Sequence, residues 1–404
     1  MQFAQIITLI VIIGVYAAIA IGSIPGLRMN RASIALVGAA LLILVGVLTE
    51  DQALHAIDLG TIILLGAMMV VNINLRLSGF FEVITYHVTR VARTPSALLA
   101  LLIITAGVLS ALFLNDTLCL MMTPLVLDIT LRLKRQPIPY LIGLATATNV
   151  GSVAAITGNP QNIIIGQSSG IPYVTFLIHL APVALLGLGV CWGVMVLVFR
   201  SEFRGKLSMV ETPLLAPYYP LLNRTLLLIV GLLAAFLMGQ PIVTATALVA
   251  GALLISRLHP RKLFDLDWEL LAFFTGLFVV TGAVEISGLS GRFFALLAPI
   301  LQSGIPGFTG ATALLSNLVS NVPAVLLMRG EIDNFADPQR MWLVLAMAST
   351  LAGNLTLIGS AVNLIVAEIA GRRGVQVDFV TYLRAGIPIT LITLGIGVVW
   401  LMLV

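Results

Sequence analysis

The feature that most constrains this chain is a long internal repeat. The segment ALVGAALLI at residues 35–43 returns as ALVAGALLI at residues 247–255. Further matches follow in chain order: Asp58 with Asp267, Ser78-Gly79 with Ser287-Gly288, Asn115 with Asn321, Gly158 with Gly359, and Pro182 with Pro388. The offset between the halves stays between 201 and 212 throughout. Such a duplication predicts two halves that share one architecture.

Composition places both halves in a membrane. Of the 404 residues, 59% are hydrophobic and only 9% are charged. So few charges cannot cover a globule with a polar surface. Because lipid offers no partner to unpaired backbone groups, the apolar segments must form helices. We therefore expect an all-α integral membrane protein.

The sequence lacks the patterns of enzymes and of metal proteins. Cys119 and Cys191 are the only cysteines, and the 4 histidines are scattered without metal-ligand spacing. No nucleophile dyad supports an intramembrane enzyme. The basic residues lie at helix ends, where the positive-inside rule places them, and give no sign of nucleic acid. We expect no catalysis, cofactor, bound metal or nucleic-acid partner.

The distribution of basic residues predicts the topology. A ten-span arrangement with both termini outside puts 18 of the 21 Lys and Arg inside and leaves Arg292, Arg329 and Arg340 outside. Each half then has five spans and one re-entrant hairpin, at about residues 95–131 and 307–328. Because five is odd, the two repeats must lie in opposite, inverted orientations.

The segment boundaries follow from this topology. We expect a first repeat at 1–200, a cytoplasmic linker at 201–222 and a second repeat at 223–404, in an inner membrane. The first apolar segment, from Phe3 to Gly22, has no basic stretch before it and is expected to be a retained helix rather than a signal peptide.

Chemistry is expected where the helices are broken. Two breaks are the hairpin tips, LNDTL at 114–118 and SNVPA at 320–324, and two are interruptions rich in Gly and Asn at 147–162 and 349–363. Each break exposes a helix N-terminus, which suits an oxyanion, and a C-terminus, which suits a cation or a hydroxyl donor. We expect all four breaks to meet at the midplane of the membrane. The residues expected to interrupt the backbone are Gly151, Gly158, Pro160, Pro323, Gly353 and Gly359.

These motifs resemble those of the ion transporter superfamily. Its members carry an Asn-containing hairpin tip and a following G-[TN]-P-x-N-like turn, and they repeat the set in inverted orientation. Here the sets are Asn115-Asp116-Thr117 with Gly158-Asn159-Pro160-Gln161-Asn162, and Ser320-Asn321-Val322-Pro323 with Gly359-Ser360-Ala361-Val362-Asn363. Within the superfamily the chain is most similar to the ArsB-type arsenite and antimonite pumps, whose relatives include sodium/proton antiporters, the P protein and symporters of divalent anions with sodium.

The resemblance and the repeat together give the candidate site residues. Those expected to bind substrate are Asn115, Thr117, Thr148, Asn149, Asn159, Asn162, Ser320, Asn321, Asn354, Thr356 and Asn363. Asp116 is expected to carry the coupling proton, because an ionisable group at membrane depth is by default a functional candidate. The alternative is that its carboxylate only caps the second hairpin helix. A site of Asn, Thr, Ser and backbone groups, without Arg or Lys, suits neutral As(OH)3 or Sb(OH)3.

We therefore expect a secondary transporter that extrudes arsenite or antimonite in exchange for protons by alternating access. Two alternatives of the same superfamily stay open: a sodium/proton antiporter, and an anion symporter for a dicarboxylate or oxyanion. A more distant alternative is a channel subunit driven by a soluble ATPase that docks at the linker. The other expected partners are membrane lipid and, in a homodimer, a second copy of the chain.

Overall fold

All regular structure that the computed structural model describes, in residues 3–21, 29–207, 217–255, 266–301 and 303–404, is helical. The first half contains α1 (Phe3–Ile21), α2 (Arg31–Leu44), α3 (Glu50–Ala56), α4 (Leu59–Ser78), α5 (Phe80–Val91), α6 (Pro95–Leu112), α7 (Asn115–Arg132), α8 (Pro137–Ser152), α9 (Pro160–Ser169) and α10 (Tyr173–Val198). The second half contains α11 (Tyr219–Leu237), α12 (Ile242–Ile255), α13 (Trp268–Ile286), α14 (Leu289–Leu301), α15 (Ile305–Val319), α16 (Asn321–Met328), α17 (Pro338–Ala352), α18 (Ala361–Arg372) and α19 (Phe379–Leu403). The expected all-α class is confirmed.

Six of the described helices are long and apolar enough to cross a membrane. They are α4, α6, α10, α11, α13 and α19, with 18 to 26 residues each. At about 1.5 Å of rise per residue, roughly 20 residues cover the hydrocarbon core of a bilayer. The helices α2 and α12 are shorter and also apolar, as is the stretch Gln5–Ile19 within α1. The architecture is therefore that of a multi-pass membrane protein.

The repeat is visible in local structure as well as in sequence. Asp58 and Asp267 each cap the helix that follows, α4 and α13, by accepting a backbone N–H at 3.0 and 2.9 Å. Gly79 and Gly288, which follow the two helices, both have a positive φ, of 79° and 71°. This left-handed conformation costs a glycine little and ends a helix. The two halves thus share local geometry, whereas their inverted orientation stays a prediction.

The helices form two groups. Helix α2 packs against α13, and α4 packs against α11 and α12; we call α1–α4 with α11–α13 the scaffold. Helix α8 packs against α6 and α7, and α17 against α15, α16 and α19; we call α6–α10 with α15–α19 the hairpin bundle. All residues of Pro139–Ser152 in α8 and of Met341–Ala352 in α17 are buried. The hairpin bundle is therefore built around α8 and α17.

Helices α6 and α8 approach so closely that their crossing requires glycine. A Cβ on Gly151 would collide with the backbone carbonyl of Gly107, and a Cβ on Gly158 would collide with the carbonyl of Ser152. Gly151 lies in the last turn of α8. The prediction that Gly151 interrupts the backbone is therefore wrong, because its role is to let α8 pack against α6.

The described ends of the predicted linker are attached to different helix groups. The Leu207 N–H donates to the carbonyl of Arg93, at the base of the hairpin bundle, at 3.1 Å. The Tyr218 N–H donates to the carbonyl of Ser78, at the end of scaffold helix α4, at 3.0 Å. Helix α11 begins inside the predicted linker, and residues 208–216 lie outside the described ranges. The predicted docking of an ATPase there stays a prediction.

We expect the substitution Gly151→Ala to destabilise the protein by about 1–3 kcal/mol, because the added methyl group forces α6 and α8 apart. The matched control is Gly189→Ala in α10, where an added Cβ meets no atom within 4 Å. Thermal unfolding of the two variants in detergent checks this. Equal midpoints for Gly151→Ala and Gly189→Ala would contradict the close crossing.

Candidate functional site

Each half contains one unwound turn whose carbonyl groups are bound by an asparagine side chain. Between α8 and α9, Asn162 Nδ2 donates to the carbonyl oxygens of Ser152 and Ala155, both at 3.0 Å. Between α17 and α18, Asn363 Nδ2 donates to the carbonyl oxygens of Gly353 at 2.8 Å and Thr356 at 3.1 Å. These two residues lie 201 positions after Ser152 and Ala155. Carbonyl groups that a membrane cannot hydrate are thus satisfied in the same way in both halves.

The two unwound turns are also held by each other's half. Asn159 Nδ2 donates to Thr350 Oγ1 at 3.3 Å, which fixes the first turn to α17 of the second half. At the same offset of 201, Ser360 Oγ donates to Asn149 Oδ1 at 3.2 Å and fixes the second turn to α8. All four side chains are buried. Neither turn is therefore complete without the other half of the chain.

Asn149 is the centre of a buried amide network. Its Oδ1 accepts from Asn115 Nδ2 at 3.3 Å, and its Nδ2 donates to Asn354 Oδ1 at 2.8 Å and to Asn363 Oδ1 at 3.3 Å. Asn354 Nδ2 donates in turn to the carbonyl of Thr146 at 3.1 Å. The structure thus brings four predicted site residues together. Their amides bind one another, and a satisfied network of this kind makes its surroundings rigid.

The first hairpin tip leaves the Asp116 carboxylate without a fixed partner. Helix α7 begins at Asn115, whose Oδ1 accepts from the Asp116 N–H at 2.9 Å. In the part of the chain that the structure describes, the Asp116 carboxylate has neither a hydrogen bond nor an ion pair. The alternative that it caps α7 is therefore wrong. Thr117 lies beside it and is partly buried.

The second hairpin tip turns at Ser320 rather than at Pro323. Ser320 has a φ of 81°, which is uncommon for a residue with a side chain, and it separates α15 from α16. Pro323 is the third residue of α16, where its missing N–H interrupts no helical bond, so the prediction that it breaks the backbone is wrong. Asn321 lies beside Ser316, whose Oγ donates to the carbonyl of Ser349 at 3.0 Å. In the amide orientation that satisfies its neighbours, Asn321 Nδ2 donates to the same carbonyl at 3.1 Å.

A cavity of about 380 Å³ lies beside the two tips, between the scaffold and the hairpin bundle. Its polar and charged lining residues are Arg31, Asn115, Asp116, Gln161, Asp267, Glu269, Ser320, Asn321, Ser360 and Glu368. The predicted site residues that line it are Asn115, Asp116, Pro160, Ser320 and Asn321. The predicted site residues outside its lining are Thr117, Thr148, Asn149, Asn159, Asn162, Asn354, Thr356 and Asn363. The hairpin tips and the first residues of α9 and α18 therefore face the cavity, and the amide network lies behind them.

Some lining residues were missed by the sequence prediction. Gln161 and Ser360 belong to the two turn motifs, so their place in those motifs is a signal that could have identified them. The expectation of a site without Arg or Lys is wrong, because Arg31 at the start of α2 lines the cavity. A basic residue at a helix start has an ordinary explanation in the positive-inside rule, so no local pattern distinguishes Arg31 from the other basic residues.

The cavity has an excess of acidic groups but no metal site. One guanidinium, that of Arg31, and four carboxylates line it. In the described residues, no group of three or more His, Cys, Asp or Glu side chains is arranged to hold a metal ion. Cys119 is buried, with its Sγ 3.1 Å from Thr148 Oγ1, and does not line the cavity. The chemistry available is hydrogen bonding by amides and hydroxyls together with proton exchange at a carboxylate.

Residues 7–352 of the chain match the family described as citrate transporter. The chain belongs to the citrate transporter family. It is 31% identical to the silicon efflux transporter LSI3 of Oryza sativa subsp. japonica, with 93% of each chain covered. It is 30% identical to the inner membrane protein YbiR of Escherichia coli strain K12, with 86% of this chain and 89% of the other covered.

A solved structure supports the same fold. The YdaH transporter of Alcanivorax borkumensis, whose crystal structure has an unusual topology, aligns with a TM-score of 0.58 at 13% identity, covering 100% of this chain and 98% of the other. At this identity the likeness concerns the fold alone. The citrate transporter family and its relatives make this chain a membrane transporter and not an enzyme. The narrower resemblance to arsenite pumps and the orientation of the termini stay predictions.

We expect Asn363→Ala to destabilise the protein, since it leaves the buried carbonyl of Gly353 without its side-chain donor and removes one hydrogen bond each from the Thr356 carbonyl and the Asn149 amide. Each buried polar group left unpaired costs about 1–3 kcal/mol. The matched control is Asn334→Ala, an exposed residue that donates only to Glu331, with an expected change within about 0.5 kcal/mol. Thermal unfolding in detergent measures both. Similar midpoints for the two variants would show that Asn363 does not stabilise the break.

Proposed function

We propose that this transporter exports arsenite or antimonite, as neutral As(OH)3 or Sb(OH)3, in exchange for protons. The observation that carries the proposal is a cavity that combines uncharged amides and hydroxyls with the partly buried carboxylate of Asp116, which has no fixed partner among the described residues. Amides and hydroxyls donate and accept hydrogen bonds, as the hydroxyls of such a solute require. Asp116 provides a group that can take up and release one proton in each cycle.

The fixed charges of the cavity favour a neutral solute over an anion. The carboxylates of Asp116, Asp267, Glu269 and Glu368 line it against the single guanidinium of Arg31. This excess of negative charge disfavours a polyanion such as free citrate, whereas an uncharged acid meets no such repulsion. The name of the rice relative is compatible with this solute class, because silicon and trivalent arsenic both form uncharged hydroxylated acids near neutral pH.

The cavity and one ion pair on the opposite face support an inward-open conformation. The cavity lies where α2 and α13 begin, on the face that the basic residues predict to be cytoplasmic. On the other face, Arg329 Nη2 lies 3.4 Å from Glu285 Oε1, which joins the end of α16 in the hairpin bundle to α13 in the scaffold. In the proposed cycle, a cytoplasmic solute enters as Asp116 releases its proton to water. The hairpin bundle then moves relative to the scaffold, the solute leaves, and Asp116 takes up an external proton.

A sodium/proton antiporter is the second candidate. The observation that favours it is the same excess of carboxylates, which attracts a monovalent cation as well as it repels an anion. In this alternative Asp116 and the tip amides bind sodium, and no hydroxylated solute is needed. An anion symporter agrees with the description of the family, but the acidic lining opposes it.

We expect everted membrane vesicles with an acidic interior to accumulate arsenite, because uptake into them corresponds to export from the cell. Asp116→Asn should lower this uptake at least about tenfold, since the amide cannot release a proton and a tenfold change needs only about 1.4 kcal/mol. The matched control is Asp333→Asn at an exposed position outside the cavity. Its uptake should equal that of the unmodified protein.

Competition and ion fluxes separate the alternatives. Citrate added in excess should leave arsenite uptake unchanged, and collapse of the pH gradient should abolish it. Proton flux evoked by sodium, without arsenite uptake, would instead establish the antiporter. Citrate uptake would establish the anion symporter.

A further inference from the structure

Charged residues of the cavity break the symmetry of the repeat in both halves. In the second half, Glu269 and Glu368 correspond to Gly60 and Gln167; in the first half, the unmatched residues are Arg31 and Asp116. At the offset of 212 that relates the two ALV segments, the counterpart of Arg31 is Val243. At the hairpin offset of 206, the counterpart of Asp116 is Val322. Both charged residues line the same cavity. The first half therefore supplies both a titratable acid and a fixed cation for which the second half has only valines.

Arg31 and Asp116 belong to different helix groups. Arg31 is the first residue of α2 in the scaffold, and Asp116 lies in the first turn of α7 in the hairpin bundle. Both are partly buried, and they line the same cavity with opposite charges. In the described ranges no carboxylate oxygen lies within 4.0 Å of the Arg31 guanidinium. The two charges thus attract each other across a gap that water or a small solute can occupy.

The other acids of the cavity have different surroundings. Asp267 caps α13 through a backbone N–H at 2.9 Å, and Glu368 pairs with an arginine of its own helix at 2.7 Å. Glu269 is exposed on α13. Asp267 also acts on Asp116 as a like charge. Among the described lining residues, Arg31 is therefore the cation that can stabilise an ionised Asp116.

The predicted inverted repeat indicates what Asp116 meets when the opposite face opens. Val322 lines the present cavity, so its counterpart Asp116 takes that place in the symmetry-related cavity. By the same relation, Val243 takes the place of Arg31. An ionised Asp116 would then face an apolar side chain where it now faces a guanidinium. Since an unpaired carboxylate at membrane depth is costly, the ionised and empty hairpin is more stable in the present conformation.

We propose that Arg31 enforces coupling by holding the empty hairpin bundle inward-open for as long as Asp116 is ionised. A proton relieves this attraction by neutralising the carboxylate. A bound solute relieves it by occupying the gap and hydrogen-bonding to the carboxylate in place of the guanidinium. The carrier then crosses only with a proton or a solute, and protons do not leak. Because this inference rests on the proposed role of Asp116, Arg31 is a positioning residue that acts through it.

The test reads the conformation directly and needs no transported solute. A cysteine is placed at Ile365, which lines the cavity on α18, and is labelled with a membrane-impermeant maleimide in everted vesicles at acidic and alkaline pH. The native Cys119 and Cys191 have no exposed surface and remain in place. Because thiol reactivity itself changes with pH, labelling is normalised to a separate Ser201→Cys reporter, at an exposed position outside the cavity.

With Arg31 present, normalised labelling should be at least about fivefold higher at alkaline than at acidic pH, which is the low end of typical coupling between two sites. Arg31→Gln should abolish this difference, whereas Arg31→Lys should keep most of it. Asp116→Asn should also abolish this pH difference, and the double variant of Arg31→Gln with Asp116→Asn should label like either single variant. Arg292→Gln, which removes an exposed cation outside the cavity lining, is the matched control. An unchanged pH response in Arg31→Gln, or no response in the parent protein, overturns the inference.

A second variant keeps the inference testable if Arg31→Gln does not fold. Val243→Arg places a cation at the symmetry-related position, so an ionised Asp116 would find a partner on both faces and the pH response should shrink. An unchanged response to Val243→Arg overturns the inference.

A transport measurement separates this inference from the proposed function. In proteoliposomes without arsenite, Arg31→Gln should pass protons at least about fivefold faster than the parent protein, because the empty ionised carrier can cross. A lost pH response without any arsenite transport by the parent protein would refute the solute and leave the Arg31 inference standing. Arsenite/proton exchange by the parent protein, together with an unchanged pH response in Arg31→Gln, would support the proposed function and overturn the Arg31 inference.

Discussion

The constraint on which this structure depends is the need to satisfy broken backbone inside a membrane. Helices α8–α9 and α17–α18 each interrupt their ladder of hydrogen bonds where lipid would offer no replacement. The chain solves this with amide side chains, since Asn162 and Asn363 bind the freed carbonyls. Because Asn363 is itself buried, its Oδ1 needs a partner, and Asn149 Nδ2 provides it. The polar centre of the protein is thus mainly a means of keeping two helices open.

The division between structural and cavity-lining polar groups follows from that constraint. Amides that hold the turns cannot also bind a solute without releasing a carbonyl. What remains for a solute is the outer edge of the breaks beside the two hairpin tips. Gln161, in the first turn of α9, and Ser360, just before α18, lie there. The charged residues around this edge come from both helix groups: Arg31 belongs to the scaffold and Asp116 to the hairpin bundle. The site therefore lies where the two helix groups meet, so any movement between them changes its electrostatics.

The repeat located the breaks because each motif occurs twice at a nearly constant spacing. It could not assign roles within them, since Asn162 and Asn115 are equally polar in sequence and differ only in whether they face a turn or the cavity. Pro323 does not mark the break because it lies three residues after Ser320, in the first turn of α16, where its missing N–H interrupts no helical hydrogen bond. Arg31 could not be recognised, because only the approach of α2 to the first hairpin tip makes a helix-end arginine part of a site. Local patterns thus predicted elements, and tertiary contacts decided what faces the solute.

The exchanged bonds between the halves have a consequence for how such a chain arises. Asn159 reaches Thr350 across the two halves, and Ser360 reaches Asn149. In an ancestor with unfused repeats, both bonds were contacts between two separate polypeptides. A lone repeat would still bind its turn carbonyls through its own Asn162 or Asn363, but it would lose the bond that Asn159 or Ser360 makes to the other half, so pairing would stabilise such an ancestor. Fusion replaced a concentration-dependent assembly with an intramolecular one. It also freed the two halves to differ, and charged residues such as Asp116 and Arg31, whose counterparts are valines, are what that freedom allows.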